Sequence, residues 1–152
     1  MINVLVSACL MGENCKYNGG NNYVKDIELI KTKANLVSVC PEVDGGLSVP
    51  RSPSEIRGER VVAKSGEDVT EYFVKGAELA LETAKKHSCK IALLKANSPS
   101  CGTGMVYDGS FEGVLCEGDG VTALLLKKNG IKVLNETQID ELLHYIEQNR
   151  EV

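Results

Sequence analysis

The densest group of reactive side chains follows a short apolar run, Ile91–Leu94. Residues 95–104 contain two serine hydroxyls, a cysteine thiol and two glycines close together. The apolar run is typical of a buried strand, and Pro99 with its neighbouring glycines stops regular structure beyond it. We therefore expect the thiol of Cys101 to lie just past the carboxyl end of a strand, where thiolate chemistry or metal binding is feasible.

Two further cysteines occupy the same kind of position. Cys9 ends the apolar run Val4–Ala8, and Cys40 ends the run Leu36–Val39. If the three strands are parallel, their carboxyl ends lie at one edge of a sheet and the three thiols meet there. Three thiolates form a ligand set for a soft metal, and an iron–sulfur cluster and zinc are its two usual occupants.

The cysteine spacing leaves both occupants open. No Cys-x-x-Cys pair is present among the six cysteines, which favours a cluster or an open catalytic site over a structural zinc site. Free cysteine is also a favoured buried residue, so simple core packing is the competing interpretation. We expect Cys89, at a strand start, and Cys116, after a hairpin, not to be ligands. The position of Cys15 in a loop does not decide its role.

Polar residues at the same strand ends are candidates for proton transfer. Glu42 follows Cys40, and a partly desolvated carboxylate there could act as a general acid or base, whereas a solvated loop acid would not. Ser98 and Ser100 could relay a proton or bind an oxyanion, although serines in such turns often bond only to local backbone.

The basic residues and histidines are weaker candidates for a role at these strand ends. Lys16, Arg51 and Lys95 could each hold an anionic group or simply be surface charges. His87 and His144 lie on helical patterns away from the strand ends, so we do not expect a histidine base.

Bringing the strand ends together requires crossover helices. The apolar patterns predict helices over Val24–Lys33, Val69–His87, Val121–Lys128 and about 136–148, with a fourth core strand over Ile131–Leu134. This alternation predicts an α/β three-layer sandwich, Rossmann-like, with a four-stranded parallel sheet in the order 2-1-3-4. Ligands of such sheets bind at the switch point, which here lies between the first and third strands.

Several local signals complete the predicted fold. Asp108-Gly109 between alternating apolar residues predicts a β-hairpin over Met105–Val114, and Arg60–Lys64 suggests a small edge strand. The second helix would be capped by Asp68 or Thr70 and the third by Asp119. Gly76 inside the second helix indicates a close packing contact. The expected buried face of that helix comprises Phe73, Val74, Ala77, Leu79, Ala80, Leu81 and Ala84.

Length and composition restrict the class of protein. With 152 residues and 43% hydrophobic content, we expect a single domain over residues 1–152. The net charge of -4, with 17 scattered basic residues, speaks against a nucleic-acid partner. No apolar run is long enough to span a membrane, so we expect a cytoplasmic protein without a membrane partner. Metal or thiol chemistry then suits six cysteines better than disulfides do.

Three motifs in order carry a family resemblance that covers nearly the whole chain. They are Ser7–Leu10 with Lys16–Gly19, then Cys40–Val43 with Gly46, Leu47, Pro50 and Arg51, and then Leu94 and Lys95 with Ser98–Gly102. On these residues the chain resembles the thiouracil desulfidase family.

The resemblance implies a cofactor and its ligands. The cofactor would be a [4Fe-4S] cluster held by three cysteines, which match Cys9, Cys40 and Cys101. One iron would have no protein ligand and would take sulfur from a thiolated pyrimidine such as 2-thiouracil, releasing uracil and sulfide without redox change. A cluster with three ligands is exposed at one corner, so we expect protein prepared in air to lose it.

The resemblance also implies roles for other side chains. A glutamate and a serine would assist, matching Glu42 and either Ser98 or Ser100. The candidate substrate-binding residues are Tyr17, Asn18, Gly19, Arg51 and Asn97. The partner is then a small thiolated base, and nothing in the sequence indicates the oligomeric state. The alternative hypothesis is a non-catalytic module that binds zinc or an iron–sulfur cluster and senses or delivers metal or sulfur.

Overall fold

Strands and helices alternate along most of the chain in the computed structural model, which describes residues 1–150. The strands are β1 (Asn3–Ser7), β2 (Asn35–Val39), β3 (Ser54–Arg57), β4 (Arg60–Ala63), β5 (Ile91–Leu94), β6 (Met105–Tyr107), β7 (Leu115–Glu117) and β8 (Lys132–Asn135). The α-helices are α1 (Ile27–Lys31), α2 (Pro41–Asp44), α3 (Thr70–Lys86), α4 (Val121–Lys128) and α5 (Ile139–Gln148). Short 3-10 helices cover Ala8–Met11 and Glu136–Gln138. No helix within residues 1–150 has the length and apolar character needed to cross a membrane.

A four-stranded parallel sheet forms the middle of the fold. Its order is β2-β1-β5-β8, which confirms the predicted order 2-1-3-4 of the core strands. Strand β1 pairs with β2 on one side, with Ser7 opposite Val39, and with β5 on the other, with Val6 opposite Leu93. All three pairings in the sheet are parallel, so the carboxyl ends of its strands share one edge.

Two apolar layers cover the sheet, as the predicted three-layer sandwich requires. Val4 and Val6 of β1 pack in a cluster with apolar residues of α1 and α5, whereas Leu5 packs in a second cluster with residues of α3 and α4. Successive side chains of a strand point to opposite faces, so β1 contributes to both layers. This explains why its sequence is a continuous apolar run rather than an alternating one.

Helix α3 supports the segment that follows β2. A Cβ atom added at Gly76 would collide with the backbone carbonyl of Pro41, which confirms the close packing contact predicted for this glycine. Gly45 makes the reciprocal approach, because a Cβ atom there would collide with the carbonyl of Tyr72. The short helix α2, which begins directly after Cys40, therefore lies against α3 at backbone distance.

The helical predictions need two corrections. Val74 is 41% exposed, because the buried stripe of α3 follows Phe73, Ala77, Ala80 and Ala84 and Val74 lies about 100° from Phe73 around the axis. The first crossover helix covers only Ile27–Lys31 rather than 24–33.

The helix starts also differ from the predicted caps. Val69 is the N-cap residue of α3, although Asp68 does accept a hydrogen bond from the Thr70 N–H at 3.0 Å. Gly120 is the N-cap residue of α4 and supplies no side-chain cap, so the predicted cap at Asp119 is wrong. Its first N–H groups instead find backbone carbonyls from another part of the chain, as described below.

The predicted β-hairpin forms with a longer loop. Strands β6 and β7 pair with Tyr107 opposite Leu115, so Asp108-Gly109 is not a two-residue turn. The Asp108 carboxylate accepts the Ser110 N–H, and the loop of residues 108–114 bonds to β3 instead of folding back at once. The predicted edge strand is present as β4, but its partner β3 was not predicted.

We expect Gly76→Ala to destabilise the protein, because a methyl group would push α3 away from the carbonyl of Pro41. Alanine has the better helix propensity by about 1 kcal/mol, whereas overpacking costs about 1–3 kcal/mol, so the net change should be unfavourable. Chemical denaturation measures the change. Glu78→Ala on the exposed face of α3 is the control, and stability at or above wild type in Gly76→Ala would contradict the close contact.

Candidate active site

A cavity of about 460 Å³ opens at the carboxyl edge of the sheet, beside the ends of β1, β2 and β5. Cys9 lies in the 3-10 helix that follows β1, and Cys40 is the N-cap residue of α2 directly after β2. Cys101 follows β5 in a tight turn. All three line the cavity. The structure thus brings the three predicted cysteines to the switch point of the sheet.

Backbone hydrogen bonds to helix α4 hold the turn that contains Cys101. The N–H groups of Val121 and Thr122 donate to the carbonyls of Pro99 and Ser100, at 2.9 and 2.8 Å. The Gly120 N–H donates to the Gly102 carbonyl at 2.7 Å. The first N–H groups of a helix have no partner within it, so this turn satisfies them and takes the place of a side-chain cap.

The same contact brings two backbones unusually close. A Cβ atom added at Gly120 would lie 2.5 Å from the carbonyl of Ser100 and 2.8 Å from the carbonyl oxygen of Ser98. Only glycine fits at position 120 without displacing the turn. The position of Cys101 therefore depends on a residue with no side chain.

Burial governs the thiols of Cys9 and Cys101. It raises the pKa of Cys9, partly offset by a hydrogen bond from the side chain of Asn22. It raises the pKa of Cys101 to about 12, partly offset by a hydrogen bond from Ser7. Each of these thiols is also close enough to Cys40 for charge repulsion to raise its pKa. Nearby positive charge, such as a metal, would be needed to keep such thiols deprotonated at neutral pH.

Cys15 is a fourth thiol at the cavity. A hydrogen bond with Cys15 lowers the pKa of Cys40 and raises the pKa of Cys15, and the Cys40 Sγ atom also lies 3.9 Å from the carbonyl oxygen of Cys15. The sequence left the role of Cys15 undecided, and the structure places it among the cavity-lining residues. Cys89 is instead buried in the core, and Cys116 lies exposed on β7. No three His, Cys, Asp or Glu side chains in residues 1–150 form a group that could hold a single metal ion.

Glu42 lines the cavity from the first turn of α2 and pairs with Arg51. The Arg51 Nε atom lies 3.3 Å from Glu42 Oε1, and the arginine side chain is only 8% exposed. Burial raises the pKa of Glu42, and the positive charge of Arg51 offsets part of that increase. Arg51 also donates to the carbonyls of Cys15 and Ser48, at 2.9 and 3.1 Å. It therefore joins the loop after β1 to the loop after β2.

The two candidate serines occupy different surroundings. Ser98 lines the cavity, and its Oγ atom accepts the N–H groups of Ser100 and Cys101 at 3.1 and 3.0 Å. Its own O–H has no acceptor in residues 1–150 and is available to a ligand. Ser100 is fully buried, and its hydroxyl bonds to that of Thr122 at 2.8 Å. Of the two, Ser98 is the one placed to contact a molecule in the cavity.

The other predicted residues divide between the cavity and the surface. Tyr17, Asn97 and Lys95 line the cavity, and the Lys95 ammonium lies 2.8 Å from Glu136 Oε2. Asn18 and Gly19 do not line it. Their turn lies exposed, and the Asn18 side chain accepts the N–H group of Gly20 at 2.9 Å. A contact of these two with substrate finds no support in the geometry of the cavity.

Comparison with known proteins decides the family. The model of the 2-thiouracil desulfurase family matches residues 4–138. The chain belongs to this family. The family assignment confirms the resemblance identified from the three sequence motifs.

Two relatives are similar to this desulfurase-family chain over nearly its full length. An uncharacterized protein of Bacillus subtilis (strain 168), YbbK, is 41% identical over 150 residues, which is 92% of this chain and 99% of YbbK. A solved structure described as the [4Fe-4S]-dependent thiouracil desulfidase TudS is 42% identical, with a TM-score of 0.92. That match covers 97% of this chain and 99% of the TudS chain.

The sequence analysis assigned no role to several residues that line this cavity or bond to its side chains. Ser7 and Asn22 bond to cysteine thiols, Glu136 holds Lys95, and Glu55 lines the cavity wall. A role for Ser7 could have been predicted, because it ends β1 two residues before Cys9. Asn22 lies in a loop and Glu55 on an unpredicted strand, where no periodic pattern marks them, and Glu136 begins the 3-10 helix that precedes α5.

We expect Ser100→Ala to lower the free energy of unfolding by about 1–3 kcal/mol, because it leaves the buried Thr122 hydroxyl without a partner. The double variant Ser100→Ala with Thr122→Val removes both hydroxyls and should recover most of that loss. Chemical denaturation of the three proteins provides the measurement. A double variant no more stable than Ser100→Ala alone would show that the pair is not the cause.

Proposed function

We propose that this chain hydrolyses the carbon–sulfur bond of a thiolated pyrimidine such as 2-thiouracil. The proposal includes a [4Fe-4S] cluster held by Cys9, Cys40 and Cys101. The observation that carries it is the convergence of three thiols from three parallel strand ends on one cavity, together with Glu42 and the free hydroxyl of Ser98. Membership in the 2-thiouracil desulfurase family and the likeness to TudS support the same reaction.

The residues around the cavity suit such a cluster. Thiolates are its usual protein ligands, and each of the three would bind a different iron, so they need not converge on a single point. Hydrogen bonds from Ser7 and Asn22 lower the pKa of the Cys101 and Cys9 thiols and would stabilise the ligating thiolates in the same way. When bound, the cluster would supply an iron without a protein ligand, which acts as a Lewis acid toward sulfur.

The reaction needs water and proton transfer but no electrons. Thiouracil and water give uracil and hydrogen sulfide, so the atoms balance without an oxidant or reductant. Water must lose a proton as its oxygen bonds to the carbon that carried sulfur, and the ring must be able to receive one. The protein therefore has to provide a base and a proton donor on the cavity wall.

We assign Glu42 the role of the base. Its carboxylate lies on the cavity wall two residues beyond Cys40, and Arg51 fixes its orientation through one oxygen. The second oxygen can then accept the proton of an attacking water. Since Arg51 is bonded to Glu42 and to two carbonyls, we assign it to positioning this carboxylate rather than to binding substrate.

We assign Ser98 the role of donating a hydrogen bond to the substrate ring. Its oxygen accepts two backbone N–H groups, which polarises the hydroxyl and leaves its proton free for a partner outside the turn. Asn97 and Lys95 lie on the same wall and can bind the polar edge of a pyrimidine.

We expect serine substitution of Cys9, Cys40 or Cys101 to abolish cluster binding, because each supplies one thiolate. Cys15→Ser, Cys89→Ser and Cys116→Ser should retain it. The measurement is iron and sulfide content after anaerobic reconstitution, with circular dichroism to show that each variant is folded.

Two outcomes of that series would contradict the proposed ligand set. Full iron content in any one of the first three variants would remove that cysteine from the set. Loss of iron in Cys15→Ser would indicate four protein ligands and hence no iron left open for sulfur, which is incompatible with the proposed reaction.

We expect Glu42→Gln to keep the cluster and to lower turnover of 2-thiouracil by about 10²–10⁴, the usual contribution of a general base. Ser98→Ala should also lower turnover, whereas Ser100→Ala should affect stability more than catalysis. Anaerobic release of uracil, normalised to iron content, measures these effects. Glu13→Gln, an exposed carboxylate in the loop after β1, is the matched control.

Unchanged activity in Glu42→Gln would rule out the assigned base. If the fully loaded wild type released no uracil, another thiolated substrate or the non-catalytic metal-binding module would be the better explanation.

A further inference from the structure

A second carboxylate, that of Glu55, lies on the cavity wall, and the sequence analysis predicted no role for it. It belongs to β3, the strand that the sequence did not predict, and it is only 8% exposed. Tyr107 and Gly113 of the β6–β7 hairpin line the cavity beside it. A buried acid in a ligand cavity needs a partner, because an ionised carboxylate without one is costly to bury.

The two oxygens of Glu55 have different surroundings. Oε1 accepts the N–H groups of Gly109 and Phe111, at 2.9 and 3.2 Å, and so fastens the 108–114 loop to β3. Oε2 has no hydrogen-bond partner in residues 1–150. Every fully buried side-chain oxygen and nitrogen in that range does have a partner, so Oε2 must be accessible. Glu55 lines the cavity, and Oε2 is its one carboxylate oxygen not bonded to the 108–114 loop, which makes Oε2 the candidate acceptor for a ligand there.

The charges around the cavity set Glu55 apart. Glu42 is paired with Arg51, and Lys95 is paired with Glu136. Within residues 1–150, no lysine, arginine or histidine lies within ion-pair distance of the Glu55 carboxylate. Lys16 also lines the cavity, but it forms no ion pair with Glu55. Among the described residues, Glu55 is thus a cavity carboxylate without an ion-pair partner, and a ligand with an N–H donor would give its free oxygen one.

We infer that Glu55 is a substrate-binding residue whose free oxygen accepts a hydrogen bond from a ring N–H of the thiolated pyrimidine. This inference rests on the proposed function. 2-Thiouracil has a ring N–H on each side of its thiocarbonyl carbon, so an acceptor on the wall can orient that carbon. A site built around such an acceptor rejects analogues that lack the donor, because the carboxylate is then left unpaired.

Glu55→Gln distinguishes substrate binding by Glu55 from its attachment of the 108–114 loop. The glutamine carbonyl can still accept the N–H groups of Gly109 and Phe111, so the 108–114 loop stays attached. The amide nitrogen replaces Oε2 and presents a donor where the ring N–H also presents one. Glu59→Gln is the matched control, since Glu59 is exposed in the turn between β3 and β4.

The experiment compares 2-thiouracil with its 1-methyl and 3-methyl derivatives in the reconstituted wild type and both variants. Glu55→Gln should raise the KM for 2-thiouracil roughly tenfold to hundredfold, as expected for a lost hydrogen bond to a charged group. In wild type, methylation of the bonded nitrogen should weaken binding by a similar factor. In Glu55→Gln that penalty should largely disappear, and Glu59→Gln should match wild type.

Equilibrium binding of uracil, by calorimetry on the same proteins, does not depend on turnover. Weaker uracil binding by Glu55→Gln alone supports the inference, even if no thiolated base is turned over and the proposed reaction fails. If Glu55→Gln raised the KM by the same factor for all three substrates and hydrogen exchange over residues 108–114 became faster, the role of Glu55 would be purely structural and the inference would be overturned. Unchanged KM values and unchanged uracil binding would also overturn it and leave the desulfurase proposal standing.

Discussion

The parallel pairing of β1 with both β2 and β5 is the constraint on which the site depends. Parallel strands send their chains out at the same edge, so loops that begin at Ser7, Val39 and Leu94 start side by side although they are far apart in sequence. The register is fixed because β1 is buried on both faces, and a slip of one residue would exchange the side chains of the two layers. The hydrophobic core therefore determines where the thiols can be, before any cofactor contributes.

The loops after these strands are irregular, and the protein fixes them by backbone contacts more than by side-chain packing. The turn around Cys101 takes the place of a cap for α4, and the segment after Cys40 lies against α3 through Gly76. Arg51 then joins the first two loops through buried hydrogen bonds. These contacts rest on helices that belong to the core, so the reactive groups are held by rigid elements although none of them lies in a strand.

The sequence predicted the sheet order, and with it the position of Cys9, Cys40 and Cys101 at one edge of the sheet, because both follow from apolar runs and the rules of parallel connections. The predictions made from short local motifs were wrong where residues distant in sequence supplied the hydrogen-bond partners. Asp108-Gly109 is a strong turn signal, but the 108–114 loop bonds to Glu55 on a strand far away in sequence. Asp119 looked like a cap, but distant carbonyls satisfy the helix. The place of Cys15 depends on loop conformation, which has no periodicity to read.

Gly120 has no functional group, yet it belongs to the site as much as any thiol does. Its hydrogen atom faces the carbonyl of Ser100, and any larger substituent would displace the turn that presents Cys101 and Ser98. Transfer of function between relatives usually relies on matching the reactive side chains. A relative that kept every cysteine, the glutamate and the serine but carried a side chain at this position would pass such a comparison and still lack the geometry. The boundary of the site thus includes backbone that bears no chemistry of its own.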